Sequence, residues 1–257
     1  MADRPAADSP TSVRERLPAA DPYRDFPLHE WQPDLQGWAS SHPLFGELIG
    51  VLQPALIVEV GTWKGASAIH MAREAKRRGV PTEIICVDTW LGSAETLVRR
   101  DESFRDLRHR HGYPQLYFQF LANVLHTGTE DAIVPLPQTS ENAARVLEKL
   151  RIRPDLVYLD ASHDGRSVER DLEAWYPLLS ETGALIGDDF IEEQRPDLVR
   201  AVRAFADRRG LEVHSDREKF VLTRDPGLLR RLRGSRDGWR RAKWRAGRVR
   251  GRMSRSR

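Results

Sequence analysis

Short, largely apolar segments alternate with amphipathic segments along most of the chain, and this alternation limits its fold more than any other feature. The apolar segments lie at 56–60, 83–87, 132–136, 156–159 and 184–187. The segments between them carry an apolar residue every three or four positions, as helices that cover a sheet do. Strands that are apolar on both faces are typical of a mostly parallel sheet with helices on both sides.

Two later segments, "LEV" and "KFVLT", are predicted to form a terminal strand pair. In open parallel sheets, ligands bind beyond the carboxyl ends of the strands. The residues that follow the predicted strands are therefore the candidates for a functional site.

The first predicted strand runs into "EVGTWKGAS", from Glu59 to Ser67. Gly61 permits a tight turn and Gly65 permits close packing of the next helix, whose N-terminal N–H groups suit an anionic group. A purely structural turn is the alternative. Asp88 ends the second strand, where carboxylates accept ribose hydroxyls in nucleotide-binding folds, although the glycine pattern is neither G-x-G-x-x-G nor a P-loop.

Carboxylates also follow the fourth and fifth strands, at Asp160, Asp188 and Asp189. Neighbouring parallel strands lie about 4.8 Å apart, so these side chains can converge. Hard oxygen ligands without a Cys or His cluster suit Mg²⁺, Mn²⁺ or Ca²⁺ rather than zinc. Solvated or helix-capping acids are the alternative. His163 stands three residues after Asp160, and an imidazole can accept a hydroxyl proton near neutral pH.

The ordered motifs "VEVGTWKGAS", "CVDTW", "PQTSENA", "LVYLDASHD" and "LIGDDF" resemble those of class I S-adenosylmethionine-dependent methyltransferases. They are similar, more closely, to the metal-dependent O-methyltransferases of the macrocin and catechol type. The resemblance covers roughly residues 44–224. It implies an α/β fold with a doubly wound, seven-stranded, Rossmann-like sheet that is mostly parallel, with its last strand antiparallel.

The resemblance also implies roles for individual residues. The loop that holds the methionine part of the cofactor corresponds to Glu59, Gly61, Trp63, Gly65 and Ser67, with Ser67 at the cofactor carboxylate. Asp88 corresponds to the ribose-binding acid, flanked by Thr89 and Trp90 near the adenosine. Ser140 corresponds to an adenine-side position, and it is also a candidate N-cap of the helix that follows.

In the resembling family, the residue at the position of Asp160 lies at both the cofactor and the metal. The residues at the positions of Asp188 and Asp189 complete the metal site. The catechol type carries Asn where this chain has Asp189. The family's general base corresponds to His163, and a His base is typical of the sugar-type members. The resemblance therefore implies S-adenosylmethionine as cofactor, dependence on Mg²⁺ (or Mn²⁺ or Ca²⁺), and O-methylation of a sugar or glycosylated natural product.

Two other functions stay open from the sequence. One is a metal-independent methyltransferase of the same fold that acts on nitrogen, carbon or oxygen. The other is a non-catalytic protein that binds nucleic acid or a membrane through its basic end. From Leu229 to Arg257 there are 13 Lys and Arg residues and one acid, a net charge of +12. Such a segment binds anionic lipid or RNA, or is simply solvated.

Composition predicts a disordered N-terminal extension over 1–22 and a basic tail over 225–257. The resemblance implies a methyltransferase domain over 23–224, between them. Residues 91–131 interrupt the alternation as a substrate lid or an extra helical layer.

Composition also predicts the cellular compartment of the protein. A single cysteine, Cys86, and the lack of an apolar signal segment indicate a reducing, cytoplasmic location, with peripheral membrane contact through the tail. A homo-oligomer is compatible with these features.

Overall fold

The computed structural model describes residues 12–18, 20–161, 164–216 and 218–232. Within these ranges the α-helices are α1 (Val13–Arg16), α2 (Pro43–Leu52), α3 (Ala66–Arg78), α4 (Ala94–Arg99), α5 (Glu102–Asp106), α6 (Leu116–Thr127), α7 (Ser140–Lys149), α8 (Gly165–Trp175) and α9 (Pro196–Arg209). Short 3₁₀ turns lie at Leu28–Glu30 and Tyr176–Leu178. Residues 226–232 are also helical.

Seven strands form one sheet: β1 (Leu56–Val60), β2 (Glu83–Asp88), β3 (Ile133–Pro137), β4 (Leu156–Leu159), β5 (Ala184–Gly187), β6 (His214–Asp216) and β7 (Lys219–Thr223). Their order is β3-β2-β1-β4-β5-β7-β6. The first five strands are parallel, whereas β7 runs antiparallel to both β5 and β6. The predicted seven-stranded, mostly parallel sheet with an antiparallel last strand is confirmed.

Local sequence signals explain where many of the helices begin and end. Side-chain oxygens accept a backbone N–H at the N-termini of α4, α5, α7 and α8, and the capping residues are Ser93, Asp101, Thr139 and Asp164. Helices α3, α6 and α9 end at glycines with positive φ, namely Gly79, Gly128 and Gly210.

The sheet is covered on both faces, as the apolar strands predicted. Val58 and Val60 of β1 belong to a cluster with buried residues of α7, α8 and α9. Ile57, which points to the opposite face, belongs to a second cluster with α2, α3 and α6. This two-sided cover leaves the ends of the strands as the accessible edge of the sheet.

Part of the predicted N-terminal extension is ordered against the sheet. The Ser12 hydroxyl donates to Glu83 at 2.5 Å, and the Val13 N–H donates to the same carboxylate at 3.1 Å. The Arg14 guanidinium donates to the Ile133 carbonyl at 3.1 Å. Residues 12–18 therefore depart from the predicted disorder because they satisfy polar groups at the amino edge of β2 and β3. Residues 1–11 lie outside the described residues.

The segment 91–131, predicted as a substrate lid or an extra helical layer, has an inner helix and shorter helices nearer the surface. Helix α6 is an inner layer, since Leu116, Phe120 and Val124 are buried. Helix α4 has no buried residue. Four of its residues instead face a cleft at the carboxyl edge of the sheet, together with Ser93. Residues of the shorter helices thus line the cleft, where a lid stays a prediction, and α6 packs as an inner layer.

The predicted tail begins inside the folded domain. The helical segment 226–232 contributes Leu228, Leu229 and Leu232 to the core on the α2 and α3 face of the sheet, and all three side chains are buried. The predicted boundary at residue 225 is therefore too early, because these leucines lie at helical spacing that the many arginines around them obscure. Most of the basic residues, over 233–257, lie outside the described residues.

No helix in the described part of the chain is long and apolar enough to cross a membrane.

Replacing Leu228 with Ala is expected to lower the free energy of unfolding by about 2–5 kcal/mol, because it leaves a cavity at a fully buried position. Urea unfolding followed by circular dichroism measures this change. Leu97→Ala on the exposed surface of α4 is the control, with an expected change below about 0.5 kcal/mol. Equal losses in the two variants would show that residues 226–232 do not belong to the domain.

Candidate active site

A cleft of about 960 Å³ lies at the carboxyl edge of the sheet. Its floor is formed by the ends of β1, β2, β4 and β5, and its walls by α4 and by the starts of α7 and α8. Among the described residues, nine carboxyl side chains and three arginines line it. The excess of carboxylates favours a ligand with a positive charge, since a concave surface of one sign concentrates the opposite sign.

Gly61 brings the end of β1 into backbone contact with the end of β4. Its φ is +88°, and its N–H donates to the Val87 carbonyl at 2.9 Å. A Cβ at this position would lie 2.3 Å from the Asp160 carbonyl oxygen and 2.5 Å from the Ala161 Cα. Both the conformation and the lack of space require glycine here. The floor of the cleft at this point is therefore bare backbone.

The loop after Gly61 carries a pair of tryptophans. Trp63 has a φ of +53°, and its indole N–H donates to Gln36 at 3.1 Å. Its ring lies 6.2 Å from that of Trp38, and both line the cleft. Gly65 caps α3 with a φ of +86° and lies against Phe120, away from the cleft lining. Of the two predicted glycines, Gly61 therefore reaches the cleft and Gly65 supports the helix behind it.

Asp88 organises this loop. Its carboxylate accepts the N–H groups of Thr62 at 3.0 Å, Trp63 at 2.9 Å and Trp90 at 2.8 Å. Burial raises the pKa of Asp88, against the opposing effect of these donors. Asp88 and Thr89 line the cleft, whereas Trp90 is buried and its indole donates to the Trp63 carbonyl at 2.8 Å.

Glu59 and Ser67 bind each other instead of facing the cleft. The Ser67 hydroxyl donates to the Glu59 carboxyl group, and the Cys86 Sγ lies 3.8 Å from the same group. Strand alternation explains this placement, because Glu59 shares a face of β1 with Ile57, which α3 covers. Neither residue lines the cleft, so the structure does not bring them to the predicted cofactor position. Burial raises the pKa of Glu59 to about 8.

Ser140 lines the cleft but is not the helix cap. The cap of α7 is Thr139, whose hydroxyl accepts the Asn142 N–H, so the capping alternative for Ser140 is wrong by one position. The Ser140 hydroxyl donates to Asp171 at 2.5 Å and accepts the Trp175 indole N–H at 2.9 Å. Burial raises the pKa of Asp171 to about 6. This pair forms the wall at the β3 side of the cleft.

Asp160 and Asp188 converge on one phenol group. Because β4 and β5 are neighbours, the Tyr158 hydroxyl lies 2.8 Å from Asp160 Oδ2 and 3.0 Å from Asp188 Oδ2. Burial, followed by the two carboxylates, raises the pKa of Tyr158 well above its usual value. Tyr158 is therefore protonated, and its single O–H can donate to one of the two acids at a time.

Two of the three predicted metal-binding acids are paired with cations of the protein. The Lys219 ammonium lies 2.7 Å from Asp188 Oδ2, and Arg195 Nε lies 3.4 Å from Asp189 Oδ2. Within the described ranges, no group of three or more His, Cys, Asp or Glu side chains is arranged to hold a metal ion. The predicted Mg²⁺ site on Asp160, Asp188 and Asp189 therefore does not fit the arrangement of these side chains.

His163, the predicted general base, lies outside the described residues. Its described neighbours Ala161 and Asp164 both line the cleft. The Asp164 carboxylate caps α8 by accepting the Ser167 N–H at 3.0 Å, which lowers the pKa of Asp164. The role of His163 stays a prediction.

Three residues of the site were not predicted from the sequence: Tyr158, Asp171 and Lys219. Tyr158 lies two positions before Asp160, so the period of a strand places both on one face. Asp171 lies at helical spacing with Val168 and Trp175 on the inward face of α8. Lys219 opens an otherwise apolar strand. For Asp171 and Lys219, the sequence signal was a charged side chain at a position where the pattern is otherwise apolar.

Replacing Glu59 with Gln is expected to flatten the dependence of stability on pH. Folded Glu59 keeps its proton up to a pH of about 8, whereas the unfolded chain releases it near the ordinary value of 4.5. Its contribution to stability is therefore complete below about pH 4.5 and is lost as the pH rises towards 8. Urea unfolding at several pH values measures the slope.

The neutral variant Glu59→Gln should lose less stability between about pH 5 and pH 8 than the parent protein. Glu141→Gln, which changes an exposed side chain on α7, should keep the parent slope. Coincident slopes for Glu59→Gln and the parent would contradict the buried, protonated state of Glu59.

A family model described as a methyltransferase domain matches residues 58–190, slightly more than half of the 257-residue chain. The uncharacterized protein y4gI of Sinorhizobium fredii (strain NBRC 101917 / NGR234) is 28% identical over 153 residues, which are 59% of this chain and 15% of that protein. The chain thus spans about 15% of the length of this relative.

Several solved structures share the fold. An O-methyltransferase from Bacillus cereus in complex with SAH has a TM-score of 0.52 at 14% identity, covering 74% of this chain and 82% of that one. The O-methyltransferase NovP has a TM-score of 0.51 at 20% identity, covering 70% and 76%. Cofactor-bound Rv0187 from MTB has a TM-score of 0.53 at 15% identity, covering 74% and 81%. Together with the family match, these likenesses show that the chain belongs to the methyltransferase-domain family and has the class I S-adenosylmethionine-dependent methyltransferase fold.

Proposed function

We propose that the protein is an O-methyltransferase that transfers the methyl group of S-adenosylmethionine to a hydroxyl group of a small molecule. The observation that carries this proposal is the cleft in which the ends of β1, β2 and β4 meet, at Gly61, Asp88 and Asp160. Its volume of about 960 Å³ is at the upper end of small-molecule sites and leaves room for a cofactor and an acceptor.

The charge of the cleft supports the cofactor assignment. S-adenosylmethionine supplies an electrophilic methyl group on a positively charged sulfonium. The carboxylates that line the cleft outnumber its arginines, which complements that charge. In the proposal, the backbone at Gly61 accommodates the methionine part, Asp88 and Thr89 lie at the ribose, and Ser140 with Asp171 lies at the adenine.

We further propose a sugar or glycosylated small molecule as the acceptor. Trp38 and Trp63 offer an apolar wall at the cleft, and Trp38 is 64% exposed, so its face is available to a ligand. Hydroxyl and carboxyl side chains of α4 and of the loops around it lie in the same cleft, among them Ser93, Thr96 and Asp101. Apolar walls with a few polar groups suit a ring that carries several hydroxyls.

The proposed chemical step is a direct transfer of the methyl group to the acceptor oxygen. The acceptor oxygen forms a bond to the methyl carbon as the bond from that carbon to sulfur breaks, and His163 takes the hydroxyl proton. The products are a methyl ether, S-adenosylhomocysteine and a protonated base. Positioning of the acceptor by the cleft supplies much of the rate, as in other transfers between two bound groups. No step is assigned to a metal, because the carboxylates of the predicted metal site do not fit one.

We also propose that the basic residues over 233–257, which lie outside the described residues, bind anionic lipid or nucleic acid. A cytoplasmic location and a homo-oligomeric state are part of the same proposal.

Calorimetry with S-adenosylmethionine tests the proposed cofactor. The parent protein should bind one equivalent, and Gly61→Ala should weaken binding at least about tenfold, equivalent to about 1.4 kcal/mol. The reason is that the added Cβ displaces the Asp160 backbone from the floor of the cleft.

Gly128→Ala is the matched control for this experiment. Gly128 also has a positive φ, of +61°, but a Cβ there has nothing within 4 Å. Its affinity for S-adenosylmethionine should equal that of the parent protein. Absence of any binding heat with the parent protein at high concentration would end the methyltransferase proposal.

Replacing His163 with Ala should lower the rate of methyl transfer by about 10²–10⁴-fold while the affinity for S-adenosylmethionine is unchanged, since a general base contributes to the rate and not to cofactor binding. Release of S-adenosylhomocysteine in the presence of a panel of sugars measures the rate. His29→Ala, at an exposed position, is the control. An unchanged rate in His163→Ala would remove the base from the mechanism.

A further inference from the structure

The Lys219 side chain is completely buried where the sequence predicts a divalent metal. Its ammonium nitrogen lies 2.7 Å from Asp188 Oδ2 and donates to the Tyr158 hydroxyl at 3.0 Å. Tyr158 in turn lies at hydrogen-bond distance from both Asp188 and Asp160. One cation is thus connected to two carboxylates, to one directly and to the other through a phenol group.

We propose that Lys219 is the resident cation of this site, and that it neutralises the Asp160–Asp188 pair in place of a divalent metal. The protein then binds its cofactor and orients its acceptor without Mg²⁺. Lys219 is a positioning residue in this proposal, because it acts through Asp188 and Tyr158. The orientation of the acceptor rests on the proposed methyltransferase function, whereas the pairing of charges does not.

Burial makes the pairing obligatory. An ammonium group removed from water is costly unless it is paired and hydrogen-bonded. The exposure of the Lys219 side chain is 0% and that of Asp188 is 9%. The lysine nitrogen also lies 5.2 Å from the centre of the Phe45 ring and 4.9 Å from that of Tyr158, so both aromatic rings lie close to the ammonium. These contacts hold the ammonium at Asp188.

The sheet fixes the position of Lys219. Strand β7 pairs with β5 so that Phe220 lies opposite Gly187, and a Cβ at Gly187 would lie 2.2 Å from the Phe220 ring. A one-residue shift of β7 against β5 would turn Lys219 and Phe220 to the opposite faces of the sheet. The register of β7 against β5 therefore places the Lys219 ammonium beside Asp188, the residue that follows β5.

A divalent metal would compete with this ammonium for the same oxygen. Mg²⁺ binds oxygen at about 2.0–2.1 Å, so a metal on Asp188 Oδ2 would lie within about 5 Å of the Lys219 nitrogen, which is itself 2.7 Å from that oxygen. Two cations at that separation repel each other, and the Asp188 Oδ1 atom already accepts the Asp189 N–H at 2.9 Å. Resident lysine and bound metal are therefore alternatives.

Titration with Mn²⁺, followed by electron paramagnetic resonance, tests the proposal directly on the full-length protein. The parent protein should show no stoichiometric Mn²⁺ site at millimolar concentration. Its affinity for S-adenosylmethionine should change by less than about twofold between excess EDTA and millimolar MgCl₂. A one-to-one Mn²⁺ site, or an increase in cofactor affinity of about tenfold or more with MgCl₂, would overturn the proposal.

Removing the lysine charge provides a second measurement. Lys219→Met removes the ammonium that pairs with Asp188, so its melting temperature should fall, and Mn²⁺ or Mg²⁺ should restore part of the loss. The double variant Lys219→Met with Asp188→Asn should recover stability without a metal, because it removes both charges. Lys76→Met, at an exposed position of α3, should show neither the loss nor the metal response.

These experiments distinguish failure of the methyltransferase proposal from failure of the Lys219 proposal. If the parent protein binds neither S-adenosylmethionine nor Mn²⁺, the methyltransferase proposal fails and Lys219 as resident cation is supported. If Lys219→Met does not fold, the Mn²⁺ titration of the parent protein and the metal response of Asp188→Asn still decide the question. Asp188→Asn should not respond to metal, and a stabilisation of this variant by Mn²⁺ would contradict the proposal.

Discussion

The ends of β1 and β4 touch backbone to backbone at Gly61 and Asp160, and the shape of the cleft follows from this contact. A side chain at Gly61 would separate the two strands, since no space for a Cβ exists beside the Asp160 carbonyl. The loop that leaves Gly61 then turns back so that Asp88 can accept two of its N–H groups. The neighbouring strand ends, the loop and the acid that ends β2 are therefore held as one unit.

Buried lysines hold the groups around this unit. Lys219 pairs with Asp188 below the cleft, and Lys64 pairs with Asp34 at 2.8 Å and with Asp106 at 3.1 Å. Lys64 belongs to the loop after β1, and its partners lie in the N-terminal segment and in α5. The loop at the cleft is thus connected by ion pairs to both segments that flank it. Such pairs are weak contributors to net stability but specify one arrangement, because a buried charge tolerates few others.

The architecture was predictable from the sequence and the roles of several side chains were not. Apolar periodicity and strand-end residues are local properties, so the mostly parallel sheet and the carboxyl-edge cleft could be predicted from them. The antiparallel last strand was implied by the family resemblance. The direction of Glu59 and Ser67 depends on which face α3 covers, and that is a tertiary property. Likewise, the metal site inferred from Asp160, Asp188 and Asp189 ignored Lys219, which is 31 residues from Asp188 in sequence and reaches it only through the pairing of β5 with β7.

A crystal structure of the protein grown with S-adenosylhomocysteine and MgCl₂ shows directly whether the cleft binds the cofactor and whether Lys219 takes the place of a metal. We expect electron density for the ligand along the cleft, beside the Gly61 backbone and within hydrogen-bond distance of Asp88. We also expect the Lys219 ammonium at Asp188, with no metal density between Asp160 and Asp188. Ligand density elsewhere, or a hexacoordinate ion on those two carboxylates, would contradict these expectations.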